Sequence, residues 1–185
     1  MDLELGDLMT PSERISMKQQ VTRAYGSNRR AQRPFRLVLS GLDQAMGQVL
    51  KGTAGFDQWA CIKEDRPYLE VFADRKQDLV YLTADSENEV EALDPGKIYI
   101  VGGIVDRNRH KNVTLEKARV QGVATASLPL RKHITLSSST VLATTHVVEL
   151  LLELRDHGDW ARALARALPE RKVVADGGCG GGGGG

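Results

Sequence analysis

Residues 98–111 read IYIVGGIVDRNRHK, an apolar run that ends in two glycines and then delivers an aspartate into basic sequence. Ile98, Tyr99, Ile100 and Val101 are β-branched or aromatic with no polar alternation, the pattern of a strand buried on both faces. Such a strand needs a layer on each side, so the surrounding rhythm decides the architecture. From Asp78 onward that rhythm is clean: strand 78–83, helix 86–93 opened by a Ser86/Glu89 capping box, strand 97–101, helix about 114–121 and strand 123–128. Alternating strands and helices predict an α/β fold, a parallel sheet flanked by helices. Ligands of such sheets sit at the carboxyl ends of strands, which puts Gly102, Gly103 and Asp106 where a site would be. A structural turn with a solvated Asp106 is the plainer alternative.

Upstream, Thr10-Pro11-Ser12-Glu13 is a capping box with proline at the first helical position. A helix should start there and run towards Tyr25, loosened by Gly26-Ser27-Asn28. Residues 35–39 read as the first strand and 43–50 as a short helix, with 58–62 and 68–72 as further strand candidates. Downstream, residues 144–157 carry Val147, Leu150, Leu151 and Leu154 at helical spacing. Asp159 then caps a last helix in which Trp160, Leu164 and Leu168 share one stripe. The expected organisation is a basic N-terminal helix or arm over residues 1–34 standing apart from the sheet, one domain over 35–172, and a disordered glycine-rich tail over 173–185.

A formal net charge of +1 hides a segregated distribution. Residues 14–36 hold Arg14, Lys18, Arg23, Arg29, Arg30, Arg33 and Arg36 with no acidic residue, whereas 85–94 hold Asp85, Glu87, Glu89, Glu91 and Asp94 with no Lys or Arg. The chain is electrically polar. The basic segment can neutralise phosphates, and Tyr25 adds an aromatic able to stack on a base. Arg107, Arg109, His110 and Lys111 form a second cluster beside Asp106; for both clusters a solvated charged face is the alternative. Cys61 and Cys179 make no metal-type pair, so no metal site is expected, and they fit a reducing compartment. Neither a membrane-length apolar run nor a signal-peptide region is present, so a soluble intracellular protein is expected. The absence of a GxGxxG leaves a dinucleotide-type Rossmann site unsupported.

Several blocks, in this order, carry a resemblance: QQVTRAYGSNRR at 19–30, DLVYLTADSENE at 78–89, IYIVGGIVDRNRHK at 98–111, Leu-Pro-Leu at 128–130, VLATTHVVELLLE at 141–153, and the closing stretch 159–172. Together they resemble the SPOUT-class tRNA guanine-N1 methyltransferases that modify the purine at tRNA position 9, particularly the fungal members. The resemblance spans roughly residues 8–172. It implies a C-terminal deep trefoil knot over about residues 97–157, against the rarity of knots in general, with the methyl donor S-adenosyl-L-methionine bound in it.

The implied donor-site residues are Leu82, Thr83, Gly102, Gly103, Leu128, Leu130, Val141, Leu142, Thr144, Thr145 and His146. For the apolar ones a core role is the alternative, and His146 reads as a hydrogen-bonded knot residue rather than a catalyst. Asp106 matches the aspartate of the family's GGxVD motif and is implied as the general base that takes the N1 proton of guanine. The expected tRNA contacts are Lys18, Arg23, Arg29, Arg30, Arg107, Arg109 and Lys111, with Gln20, from the family block, facing the active site. The implied function is methylation of N1 of guanine 9 in tRNA by a monomer with no obligate protein partner, in the cytoplasm or nucleus. Methylation of adenine N1 or another RNA site, and a non-catalytic RNA-binding module, are the alternatives. One departure stands out: the family carries a longer Lys/Arg-rich extension ahead of the capping box, where this chain has residues 1–9 with Asp2, Glu4 and Asp7. On that ground it reads as a trimmed catalytic fragment.

Overall fold

The computed structural model describes residues 1–105, 109–133 and 142–168. Its described strands all run parallel. β1 (Val38–Leu39) pairs with β2 (Ile62–Lys63), and β3 (Leu79–Leu82) lies between β4 (Ile98–Val101) and β5 (Ala124–Ala126). Residues 1–3 join the two groups. Asp2 bridges to both Ser40 and Gly102: Asp2 N donates to Val101 O at 2.9 Å, Gly103 N to Asp2 O at 2.8 Å, and Leu3 N to Ser40 O at 3.0 Å. The order across the molecule is therefore β2, β1, residues 1–3, β4, β3, β5. Met1 sits inside this sheet, where its amine donates to Val38 O at 2.6 Å and burial lowers its pKa to about 6.

The neighbouring Asp2 is fully buried, so its carboxylate must find partners inside. Tyr81 Oη donates to it at 2.8 Å, Lys117 Nζ at 2.6 Å and Glu4 N at 3.1 Å, and Lys117 also reaches Glu4 at 2.8 Å. Burial first, and the Asp2 carboxylate second, push the Tyr81 phenol well above its ordinary pKa and keep it a neutral donor.

α1 (Pro11–Arg30) begins as the capping box requires: Glu13 N donates to Thr10 Oγ1 at 3.4 Å and Thr10 N to Glu13 Oε2 at 2.8 Å. It does not loosen at Gly26-Ser27-Asn28, because those polar side chains bond outward. Asn28 exchanges two hydrogen bonds with the Phe35 backbone, at 2.8 and 2.9 Å, and Ser27 Oγ donates to Glu149 at 2.9 Å. Nor does α1 stand apart as an arm. Met17, Val21 and Ala24 are fully buried in one core with Leu3, Leu39 and Met46 of α2 (Ala45–Lys51), and with Val148 and Leu152 of α6 (Thr144–His157). Residues 1–34 thus share one core with β1, α2 and α6, and no boundary falls at 34/35. α6 turns its other side, through Leu150, Leu151 and Leu154, to β3, β4 and the stripe Trp160, Leu164 and Leu168 of α7 (Trp160–Ala167) and the residue after it. Asp159 caps α7 through Arg162 N at 2.7 Å.

α4 (Val113–Val120) lies between β4 and β5, with Ala118 in a third cluster beside Tyr68, Tyr81 and Ile100. Two expectations fail here. Residues 86–93 contain no helix: Ser86 Oγ accepts Asn88 N at 3.2 Å and meets Thr125 Oγ1 at 3.0 Å, and Asn88 and Val90 then bond Ser127 beyond the end of β5. Serine here competes with the helix ladder instead of capping it. Residues 68–72 are not a strand, since α3 (Tyr68–Val71) starts directly after Pro67.

Candidate donor site at the strand ends

β3, β4 and β5 are in register so that Leu82, Val101 and Ala126 align at their carboxyl ends. Above them opens a cavity of about 320 Å³. Aliphatic groups from Leu82, Val101, Leu128, Leu130, Leu142 and Val147 make up most of its wall. Thr83, Thr114, Ser127 and Thr144 supply hydroxyls. These hydroxyls are oriented by their neighbours: Thr114 Oγ1 donates to Thr83 Oγ1 at 2.8 Å, and Thr144 Oγ1 to Gly102 O at 3.2 Å. Gly102, directly after β4, forms part of the wall, and a Cβ there would meet Tyr81 Oη and Thr114 Cγ2.

Of the expected donor residues, Leu82, Thr83, Gly102, Leu128, Leu130, Leu142 and Thr144 line this one cavity. Gly103, Thr145 and His146 do not. Gly103 backs onto Asp2 and Leu3. Thr145 and His146 follow Thr144 on a helix and so rotate away by about 100° per residue. Thr145 Oγ1 donates to Gln20 O at 3.1 Å, and His146 Nδ1 lies 3.5 Å from Glu149 Oε2 on the side of α6 that meets Ser27. Val141 falls outside the described residues, as do Asp106 and Arg107.

Sequence reasoning missed Glu89, Arg131 and Thr114, all on the wall. Glu89 was hidden by the helical reading of 86–93; it bonds Lys132 of α5 (Leu130–His133). Arg131 directly follows Leu128-Pro129-Leu130, so adjacency alone could have found it. Thr114 opens the helix after β4, and in a parallel sheet that helix starts where the strand ends.

The expected tRNA contacts divide. Arg23, Arg29 and Arg30 lie exposed on α1 and pair with no carboxylate among the described residues; Lys18 is half-buried and Lys111 exposed. Arg109 is engaged inside the protein, 2.5 Å from Glu13 Oε2. Gln20 reaches the site from behind, its Oε1 accepting Thr144 N at 2.9 Å and so capping α6. Tyr25 is not available to a base: it is buried, stacks on Trp59 with ring centroids 4.3 Å apart, and accepts Ala60 N at 2.9 Å.

Known proteins share this sequence and arrangement. The tRNA (guanine(9)-N1)-methyltransferase of Kluyveromyces lactis is 37% identical over 179 residues, which is 95% of this chain and 59% of that protein. Its counterpart in Schizosaccharomyces pombe is 38% identical over 179 residues, 94% of this chain and 58% of that protein. The chain thus spans less than two thirds of the length of these relatives. The crystal structure of full-length spTrm10 in complex with SAH superposes with a TM-score of 0.84 at 38% identity, covering 92% of each chain. The sequence model of the family described as tRNA (guanine(9)-N(1))-methyltransferase TRM10/TRM10A matches residues 1–173, and this chain belongs to that family.

Proposed function

We propose that this chain methylates N1 of guanine at position 9 of tRNA, with S-adenosyl-L-methionine as donor. The observation that carries the reading is the convergence of Leu82, Thr83, Gly102, Leu128, Leu130, Leu142 and Thr144 on one cavity at the strand ends. Names of relatives at 37 and 38% identity, and the SAH bound by spTrm10, support the same substrate and donor.

The residues fit the donor. Aliphatic walls suit a purine ring, and the oriented hydroxyls of Thr83, Thr114 and Thr144 suit the polar edges of a nucleoside. Among the described lining residues Glu89 is the one carboxylate and Arg131 the one guanidinium, a match for a zwitterionic amino-acid end. When bound, S-adenosylmethionine supplies an electrophilic methyl on a cationic sulfur, and the bond broken at sulfur leaves its electron pair there.

Guanine N1 carries a proton at neutral pH, so that proton must leave as the nitrogen gains the methyl. Asp106 is the base in this reading: its carboxylate accepts the N1 proton as the new N–C bond forms. A carboxylate of ordinary pKa, about 3.9, is a weak base for a ring nitrogen, so desolvation in the complex would have to raise it. The aliphatic wall excludes water from the reacting centre. Arg23, Arg29 and Arg30 hold the tRNA backbone by charge. Position 9 has to be unstacked first, at a cost of a few kcal/mol. The reading extends to a trefoil knot over about residues 97–157, a monomeric enzyme, and a place in the cytoplasm or nucleus, supported by the family membership and by the tRNA substrate it suggests.

The test uses transcripts of one tRNA carrying guanine or adenine at position 9, with methyl-labelled donor, followed by mapping of the modified nucleotide. Label at N1 of guanine 9, lost in Asp106→Asn by roughly 10²- to 10⁴-fold at single turnover, is the expected result. Label elsewhere, or SAH binding with no transfer to tRNA, would overturn it.

A further inference from the structure

The connection from β4 to α4 is held at both of its described ends by the amino-terminal segment. At its start, Val105 N lies 3.2 Å from Met9 Sδ, and Ile104 and Val105 pack on the core that contains Leu3, Met9 and Met17. Towards its end, Arg109 Nη2 sits 2.5 Å from Glu13 Oε2 and donates to Leu8 O at 3.4 Å. Glu13 is fixed before Arg109 reaches it, because the same Oε2 accepts Thr10 N at 2.8 Å and the side chain is only 11% exposed. A pre-placed, mostly covered carboxylate binds a guanidinium more firmly than two solvated chains bind each other.

We propose that the Glu13–Arg109 pair is a positioning device: it ties the residue that stands three places after Asp106 in the sequence to the first turn of α1. The proposal rests on the methyltransferase reading above and replaces the expectation that Arg109 contacts phosphate. An ion pair between residues 96 apart in sequence makes the helix that carries Arg23, Arg29 and Arg30 a support for the connection as well. Since a displacement of about 1 Å at a reacting group costs on the order of 10²-fold in rate, release of the pair should slow the chemistry more than binding.

The test compares the full chain with Glu13→Gln, Arg109→Ala and the double variant. Glu13→Gln retains an acceptor for Thr10 N, so α1 stays capped while the charge facing Arg109 is lost. Three readouts are taken: amide hydrogen exchange over 104–112 without ligands, tRNA affinity at several salt concentrations, and the single-turnover rate at saturating donor and tRNA. Each single variant should exchange faster over 104–112 at an unchanged melting temperature. Each should also slow single turnover by roughly 10- to 100-fold with an unchanged salt slope, and the double variant should be no slower than the worse single one. If Arg109→Ala weakens tRNA binding with a shallower slope while Glu13→Gln behaves as the unmutated chain, Arg109 is a phosphate contact and the proposal fails. Faster exchange in the variants of a chain that transfers no methyl would uphold the positioning and sink the activity, so the two failures are distinguishable.

Discussion

A Cβ on Gly102 would lie 3.0 Å from Tyr81 Oη and 3.1 Å from Thr114 Cγ2, whereas one on Gly103 would lie 2.6 Å from Leu3 Cδ2 and 2.9 Å from Asp2 O. The first pair are side-chain atoms, and Thr114, which lines the cavity, has room to give. Tyr81 has less, because its hydroxyl is held by the buried Asp2 carboxylate. The second pair includes a backbone carbonyl in the middle of the sheet, which has no freedom to retreat. Gly102→Ala should therefore leave a folded protein whose affinity for SAH falls roughly tenfold, about 1.4 kcal/mol. Gly103→Ala should lower stability by about 1–3 kcal/mol while the protein that remains folded binds SAH normally. Calorimetry with SAH beside urea unfolding separates the two; equal effects of both substitutions on SAH affinity would show that Gly103 also belongs to the site.

At the scale of elements, α1 decides how the chain divides. Its apolar positions Met17, Val21 and Ala24 are fully buried, so the helix unfolds with the core or not at all. Met17→Ala should lower global stability by about 2–5 kcal/mol. Trp59, stacked on Tyr25 of α1, and Trp160, at the head of α7, should report the same single transition; an earlier, separate loss of the Trp59 signal would restore the picture of an arm. The start of α1 was legible because Thr10 and Glu13 cap it locally, and α6 and α7 were legible because their stripes of Leu and Trp are long. Its continuation past Gly26 was not, since Ser27 and Asn28 spend their hydrogen bonds on Glu149 and Phe35, partners far off in sequence or beyond a turn. The same limit hid the 86–93 connection, where Ser86 meets Thr125. For the site, the strand ends together with Gly102, Leu128, Leu130, Leu142 and Thr144 could be read from pattern and resemblance. The outward rotation of Thr145 and His146, and the engagement of Arg109 by Glu13, depend on how α1 packs, which no local pattern states.

At the scale of the molecule, residues 1–3 make one sheet of two groups, and the charge segregation of the sequence becomes a spatial one. α1 packs over the side of the sheet that carries residues 1–3 and β1, while the acidic stretch 85–94 runs past the end of β5 at the opposite edge, where Glu89 bridges to Ser127. The cavity opens between them, over β4, β3 and β5. A polyanion approaching this field is drawn to the α1 side and repelled from the β5 edge, so the contacts that supply affinity lie beside the cavity rather than in it. Arg14 and Arg33 contribute less to that attraction, being bonded to Gly6 O and to Asp156. Arg29 and Arg30, exposed at the carboxyl end of α1, have no such engagement among the described residues. Each should neutralise one phosphate, so Arg29→Ala with Arg30→Ala should weaken tRNA binding and flatten the slope of log K against log salt by roughly 1–2. SAH affinity and the melting temperature should stay as they are, because neither side chain enters the cavity or the core. Titrations of tRNA at 50 to 200 mM salt, on the order of the range where such slopes resolve, read the result: an unchanged slope would move the tRNA path off α1 and leave the basic helix as a solvated face.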